Sequence, residues 1–252
     1  MIELGGLTKA YGDMVVVDGI SLTIPSGGIT SIIGPNGAGK STLLSMIGRL
    51  LKATAGTVSV DGLDVAATPS NTLARRLSVL RQENHITARL TVRDLVTFGR
   101  YPHSRGRVTA GDRDKVTAAI DWLGISDLAG RFLDELSGGQ RQRAFIAMVL
   151  CQETDHVLLD EPLNNLDLKH AVGMMKLIRR AADDLGRTLV VVLHDVNFAA
   201  HYSDRIIAMR GGKVVHHGTP DEVVRADILT DIYDVPIAVH ELAGTRVVTC
   251  FG

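Results

Sequence analysis

The first residues able to do chemistry stand together at Gly34-Pro35-Asn36-Gly37-Ala38-Gly39-Lys40-Ser41, followed by Thr42. Their spacing is GxxxxGK[ST], with an apolar stretch at 29–33 before it and a helical pattern at 40–51 after it. Glycines at these places let the backbone curl until several N–H groups converge on phosphate oxygens, and the positive end of the following helix faces the same anion. Lys40 adds a charge-assisted contact and Ser41 offers a hydroxyl to Mg²⁺. A glycine turn that merely ended in Lys-Ser would need neither flank. The next chemical pair is Asp160-Glu161, directly after the apolar run 157–159. An acid at the tip of a buried parallel strand sits where ligands bind in open α/β sheets, and Asp160 can hold Mg²⁺ there, directly or through water. Glu161 can polarise an attacking water as a general base.

A third group is Leu136-Ser137-Gly138-Gly139-Gln140. Ser137 and Gln140 read as a capping box opening an apolar helix through 144–150. A cap alone needs no paired glycines. Gly138 and Gly139 leave the helix end bare, so that its N–H groups can approach a second anion. The chain already carries a phosphate loop upstream, so a second anion-binding helix end makes sense as the completing half of a partner subunit's ATP site.

These groups need elements to hold them. Short β segments are expected at 2–7, 15–24, 29–33, 57–60 and 77–80, punctuated by Gly and Pro. From about 91 to 151 the apolar residues recur at helical spacing, with the polar stretch 102–114 joining two helices. The β character returns at 157–159, followed by a helix at 168–185, a strand at 189–193, a helix at 196–202 and a strand at 205–209. That alternation is βαβ logic. The tail mixes short strands with two small helices.

Composition is that of an ordinary globular chain: 252 residues, 45% hydrophobic and 22% charged. The net charge of −1 gives no basic field that would direct it to nucleic acid. Cys151 and Cys250 form no CxxC pair and read as packed or idle thiols. The start of the chain lacks a signal-peptide pattern, and no apolar run reaches the roughly 18 residues that span a bilayer. Work at a membrane would therefore need another chain to hold this one there. His216-His217 is read as a solvated pair in a turn between strands, Trp122 as part of a helical core, and the segment 112–115 as a surface helix start.

With these motifs in this order, the chain resembles the ATPases of ABC transporters, in which LSGGQ is the signature motif. The resemblance covers essentially the whole chain and implies further roles. Tyr11 would stack on adenine. Gln82, in Leu80-Arg81-Gln82-Glu83, would sense Mg²⁺ and water and link to the helical part. Asn165-Leu166-Asp167 would form the D-loop, and His194 would contact the γ-phosphate. The family often has Ala before the D-loop Leu-Asp; here Asn165, preceded by Asn164, takes that place. The implied fold is α/β: a P-loop NTPase core with a mixed sheet flanked by helices, an antiparallel β part at the N-terminus, and an inserted α-helical subdomain at about 84–152 within one domain spanning 1–252.

The implied mechanism is a head-to-tail dimer with a second copy. Each ATP, with Mg²⁺, would lie between the phosphate loop of one chain and Ser137, Gly138 and Gly139 of the other, and closure would push on integral membrane permease subunits. The implied place is the cytoplasmic face of the membrane, with a substrate-binding protein as an indirect partner and no nucleic acid. Three segments are similar to the iron–siderophore importers of bacteria. They are Phe132-Leu133-Asp134-Glu135-Leu136-Ser137, Glu161-Pro162-Leu163-Asn164-Asn165-Leu166-Asp167-Leu168-Lys169-His170, and Leu193-His194-Asp195-Val196-Asn197-Phe198-Ala199. Importers of vitamin B12 and haem use similar ATPases. Soluble ABC ATPases of repair, translation or cofactor assembly form the rival class, but one ATPase core and no sustained heptads speak against it.

Overall fold

The computed structural model describes residues 1–82, 86, 88–242 and 244–250. Strands β1 (Ile2–Tyr11) and β2 (Met14–Ile24) lead into β3 (Gly28–Ile33) and helix α1 (Lys40–Ile47). Then come β4 (Ala55–Val60), β5 (Leu63–Asp64), the short α2 (Ser70–Leu73) and β6 (Leu77–Leu80). A helical stretch follows, with α3 (Val92–Phe98), α4 (Tyr101–Ser104), α5 (Ala110–Trp122) and α6 (Gly138–Cys151). The α/β alternation resumes with β7 (His156–Asp160), α7 (Leu168–Leu185), β8 (Thr188–Val192), α8 (Val196–Tyr202) and β9 (Arg205–Arg210). The tail holds β10 (Lys213–Gly218), α9 (Pro220–Val223), α10 (Ala226–Tyr233), β11 (Ala238–Leu242) and β12 (Thr245–Thr249).

Among the described residues, the central sheet has the order β10-β9-β3-β8-β7-β6 and the N-terminal sheet the order β2-β1-β4-β5. Strands β9, β3, β8, β7 and β6 run parallel, and β10 returns antiparallel on the edge. The N-terminal sheet is antiparallel throughout. Side chains of the central strands alternate strictly between two apolar layers, as a pleated strand requires. Val157, Leu159, Leu189, Val191, Ile206 and Ala208 face the layer shared with α6, α7 and the helical stretch. Leu158, Val190, Val192, Ile207 and Met209 face the layer shared with α1 and the N-terminal sheet. A strand buried on both faces reads as a continuous apolar run, which is why 157–159 and 189–193 stand out in the sequence.

The expected fold holds, with local departures. The first helix stops at Ile47, where the N–H of Gly48 turns back to the Leu44 carbonyl. The stretch 102–114 is not a plain linker. Pro102 sits in the first turn of α4, and α5 starts at Ala110 under a capping box between Thr109 and Asp112. Asp112 is not a surface residue. It is buried and pairs with Arg100 at 3.0 Å. Arg100 also donates to the Cys151 carbonyl at 2.8 Å and meets Glu153 at 2.8 Å, which joins the ends of three helical segments. His216 and His217 lie inside β10, paired with Ala208 and Ile207, because Val214 and Val215 carry the extended pattern into them. Trp122 is half-buried against the core with Arg180 over its ring. Burial pushes the Cys151 thiol up to about 12, which makes it an inert packing group. No helix among the described residues is long and apolar enough to cross a membrane.

Candidate functional site

The parallel register brings the carboxyl ends of β3, β6, β7 and β8 to one edge. Asp160 pairs with Val192, Leu159 with Leu80, and Ile32 with Val192. Everything that directly follows those strands is therefore gathered there: the phosphate-type loop after β3, Gln82 after β6, Glu161 after β7 and His194 after β8. This is the edge at which open α/β sheets bind ligands.

The loop 34–39 is shaped by glycine. Gly34, Gly37 and Gly39 have φ of 144°, 80° and 94°, a region that side chains disfavour. A Cβ at Gly34 would also stand 2.1 Å from the Met209 carbonyl oxygen. The loop wraps the Lys40 ammonium, which donates to the carbonyls of Gly34 (2.8 Å) and Pro35 (3.0 Å). Burial lowers the Lys40 pKa, and the charges of Glu161 and Asp160 oppose that shift. Such a partly desolvated ammonium has much to gain from an anion. Ser41 donates from its hydroxyl to Asp160 Oδ1 at 2.8 Å. Burial raises the Asp160 pKa, the Ser41 hydroxyl resists, and the neighbouring Glu161 charge adds to it. A partly buried hydroxyl–carboxylate pair suits a divalent cation with oxygen ligands.

Glu161 has a left-handed φ of 49°, as does Asn165 at 60°. A non-glycine residue held there by its surroundings is strained, and here the strain turns the Glu161 side chain out of the strand direction. Its Oε2 accepts from Gln82 Nε2 at 2.6 Å and its Oε1 from His194 Nε2 at 2.6 Å. One carboxylate is thus gripped by residues from two other strand ends. Tyr11, Ser41, Thr42, Gln82 and Asp160 line one cavity of about 500 Å³, within the usual range for a small-molecule site. Tyr11 is half exposed, with Lys9 Nζ 4.7 Å from its ring centre.

The helix end at Ser137 lies elsewhere. Ser137 caps α6, accepting from the Gln140 N–H at 3.3 Å while the Gln140 side chain accepts from the Ser137 N–H at 3.0 Å. The capping box is as expected. Ser137 and Gly138 are exposed, but Gly139 is buried and only Gly138 leaves the helix end bare. Among the described residues, Ser137, Gly138, Gly139 and Gln140 do not line the cavity beside Ser41. Gly138 and Gly139 lie instead beside Asn165 and His170 of the same chain. Asp167 caps α7, accepting from the His170 N–H at 2.9 Å. That hydrogen bond and the one from the His170 ring hold the Asp167 carboxyl below its ordinary range. His170 is the residue that sequence reasoning passed over; the signal was its place three positions after Asp167. Of the quartet quoted around Gln82, Glu83 lies outside the described residues.

The chain resembles known proteins along its length. Residues 17–164 match the family model described as ABC transporter. The chain is 48% identical over 247 residues to the petrobactin import ATP-binding protein YclP of Bacillus subtilis, covering 98% of each. It is 42% identical to the ferric enterobactin transport ATP-binding protein FepC of Escherichia coli, covering 98% of this chain and 92% of that one. Among solved structures, a dimeric post-hydrolysis state of the ATP-binding cassette MJ0796 bound to ADP and Pi superposes with a TM-score of 0.77 at 29% identity. That match covers 87% of this chain and 99% of the other. With a glycine-shaped loop, a strand-tip acid pair and a capped Ser-Gly-Gly helix end on one α/β frame, this chain belongs to the ABC transporter family.

Proposed function

We propose that the chain is the ATP-hydrolysing subunit of a bacterial ABC importer that takes up an iron–siderophore complex. The observation that carries the reading is Glu161, held between Gln82 and His194 beside the Lys40 loop and the Ser41–Asp160 pair. In this reading the N–H groups of 34–39, Lys40, Ser41 and Thr42 hold the phosphates, and Tyr11 stacks on the base. Ser41 and Asp160 hold Mg²⁺, with Gln82 close by. Mg²⁺ held there would neutralise charge developing on the phosphate. Glu161 takes the proton of the attacking water, and His194 and Gln82 fix the direction of its carboxylate. His194 then turns to the γ-phosphate.

The second half of each site comes from a second copy, through Ser137, Gly138, Gly139 and Gln140, with Asp167 at the seam. A partly buried helix end contributes up to about 2 kcal/mol toward a charge. Each charge-assisted hydrogen bond adds about 1.5–3 kcal/mol, enough together to favour a closed dimer. The helical subdomain, about 84–152, carries this end and faces the permease at the cytoplasmic side of the membrane. Residue 84 lies outside the described residues. The cargo reading follows the names of the relatives, which import petrobactin and ferric enterobactin. A substrate-binding protein delivers the cargo.

Glu161→Gln tests the chemistry. ATP affinity should stay within about threefold while turnover falls by at least about a hundredfold, in line with loss of a general base. The variant should also elute as a dimer at saturating ATP. A monomer under those conditions, or residual turnover near wild type, rejects the assignment.

A further inference from the structure

The second glycine of the Ser-Gly-Gly end lies against a residue of its own chain. Gly139 is buried and lacks the positive φ that would demand glycine. A Cβ at Gly139 would stand 2.7 Å from Cδ2 and 3.0 Å from Cγ of His170. A Cβ at Gly138 would meet the Asn165 carbonyl oxygen at an ordinary 3.8 Å. The imidazole thus lies flush on the α6 backbone where a side chain would start. Its other edge is tied down: His170 Nδ1 donates to Asp167 Oδ1 at 2.8 Å, and the same oxygen accepts the backbone N–H of His170 at 2.9 Å.

We infer that His170 is a positioning residue that couples the Ser137–Gln140 helix end to Asp167, so that movement of one is felt at the other. The ring touches both: one edge lies against Gly139 and one nitrogen is hydrogen-bonded to Asp167. This rests on the two-chain reading above, in which an ATP held by one chain's loop is met by the other chain's Ser137 end. The cap bond from the backbone N–H of residue 170 survives a change of side chain, so His170→Ala removes the ring link and spares the cap. His170→Asn restores a donor at the δ position.

The test uses the full chain. His170→Ala should keep single-chain ATP affinity and melting temperature, yet lose about tenfold to a hundredfold in kcat, the scale of a misplaced reacting group. In a Glu161→Gln background it should raise the ATP concentration needed for dimerisation. His170→Asn should recover most of the kcat. Gly139→Ala, which pushes the ring from the other side, should lower kcat with the ring present and do less harm beside His170→Ala. In the kinetics, the coupling is overturned by kcat of His170→Ala within about twofold of wild type, ATP affinity falling in step with kcat, Asn behaving like Ala, or a Gly139→Ala loss indifferent to the ring. Glu161→Gln that stays single at saturating ATP rejects the two-chain reading and the coupling with it. Glu161→Gln that dimerises equally well with and without His170 rejects the coupling alone.

Discussion

At the scale of single residues, the site is a set of charges taken out of water and set against one another. Lys40 is the clearest case, its ammonium enclosed by two carbonyls of its own loop and destabilised by burial. In the proposed function, exchanging those carbonyls for phosphate oxygens is the gain on which ATP binding depends. Lys40→Ala forfeits a charged hydrogen bond of about 1.5–3 kcal/mol, which is roughly a tenfold to hundredfold loss of ATP affinity. Equilibrium titration with a fluorescent ATP analogue measures it, and unchanged affinity would mean that the loop does not hold phosphate. Lys40, Ser41, Asp160 and Glu161 were legible because each pair is adjacent in the chain and its chemistry depends on that adjacency. The grip of Gln82 and His194 on Glu161 was not, since those residues meet only through the register of β6, β7 and β8. His170 was missed for a related reason: its ring matters because of a glycine on another helix.

At the scale of elements, helices whose apolar face is strongly patterned were read to the residue. The bounds of α7 and α8 match the expected ones. The region before α5 misled because its polar run hid a cap: Thr109 and Asp112 look like solvated residues until their reciprocal bonds are seen. Strand β10 misled because two histidines masked an extended pattern set by the valines before them. The α5 cap carries its own prediction. Thr109 N–H, the Thr109 hydroxyl and Arg100, in that order, hold the Asp112 carboxyl down to about 2. A depressed folded pKa stabilises the fold above the unfolded value, near 3.9, and that share is lost as pH falls through the folded value. Asp112→Asn also takes from the buried Arg100 one of its two carboxylate partners, leaving Glu153. It should cost about 2–4 kcal/mol at pH 7 and progressively less from about pH 4 toward pH 2. Urea unfolding at pH 7 and pH 3 checks this; a cost that does not change with pH would contradict the depressed carboxyl.

At the scale of the whole molecule, the frame was legible from βαβ alternation and the helical interlude, while the cargo is written nowhere in this chain's chemistry. The proposed cargo is therefore tested on an assembly. Reconstituted with its membrane subunits, the chain should hydrolyse ATP several-fold faster when a binding protein loaded with an iron–siderophore is added, and not when one loaded with vitamin B12 or haem is. Equal stimulation by all three would remove the cargo assignment and leave the ATPase reading standing.

The apolar layer on one face of the sheet has a mechanical corollary. Val96, Ile120 and Phe145 of the helical stretch share one unbroken cluster with Leu159, Val191 and Ile206 of the strands. Lifting those helices away would wet that layer at about 25 cal/mol per Å² of apolar surface, which weighs against detachment as a working stroke. What remains is shear: small slides of packed side chains over one another, with the lubricating layer kept dry throughout. Sliding of this kind opens no gap, and the helical part and the sheet should melt together in one transition.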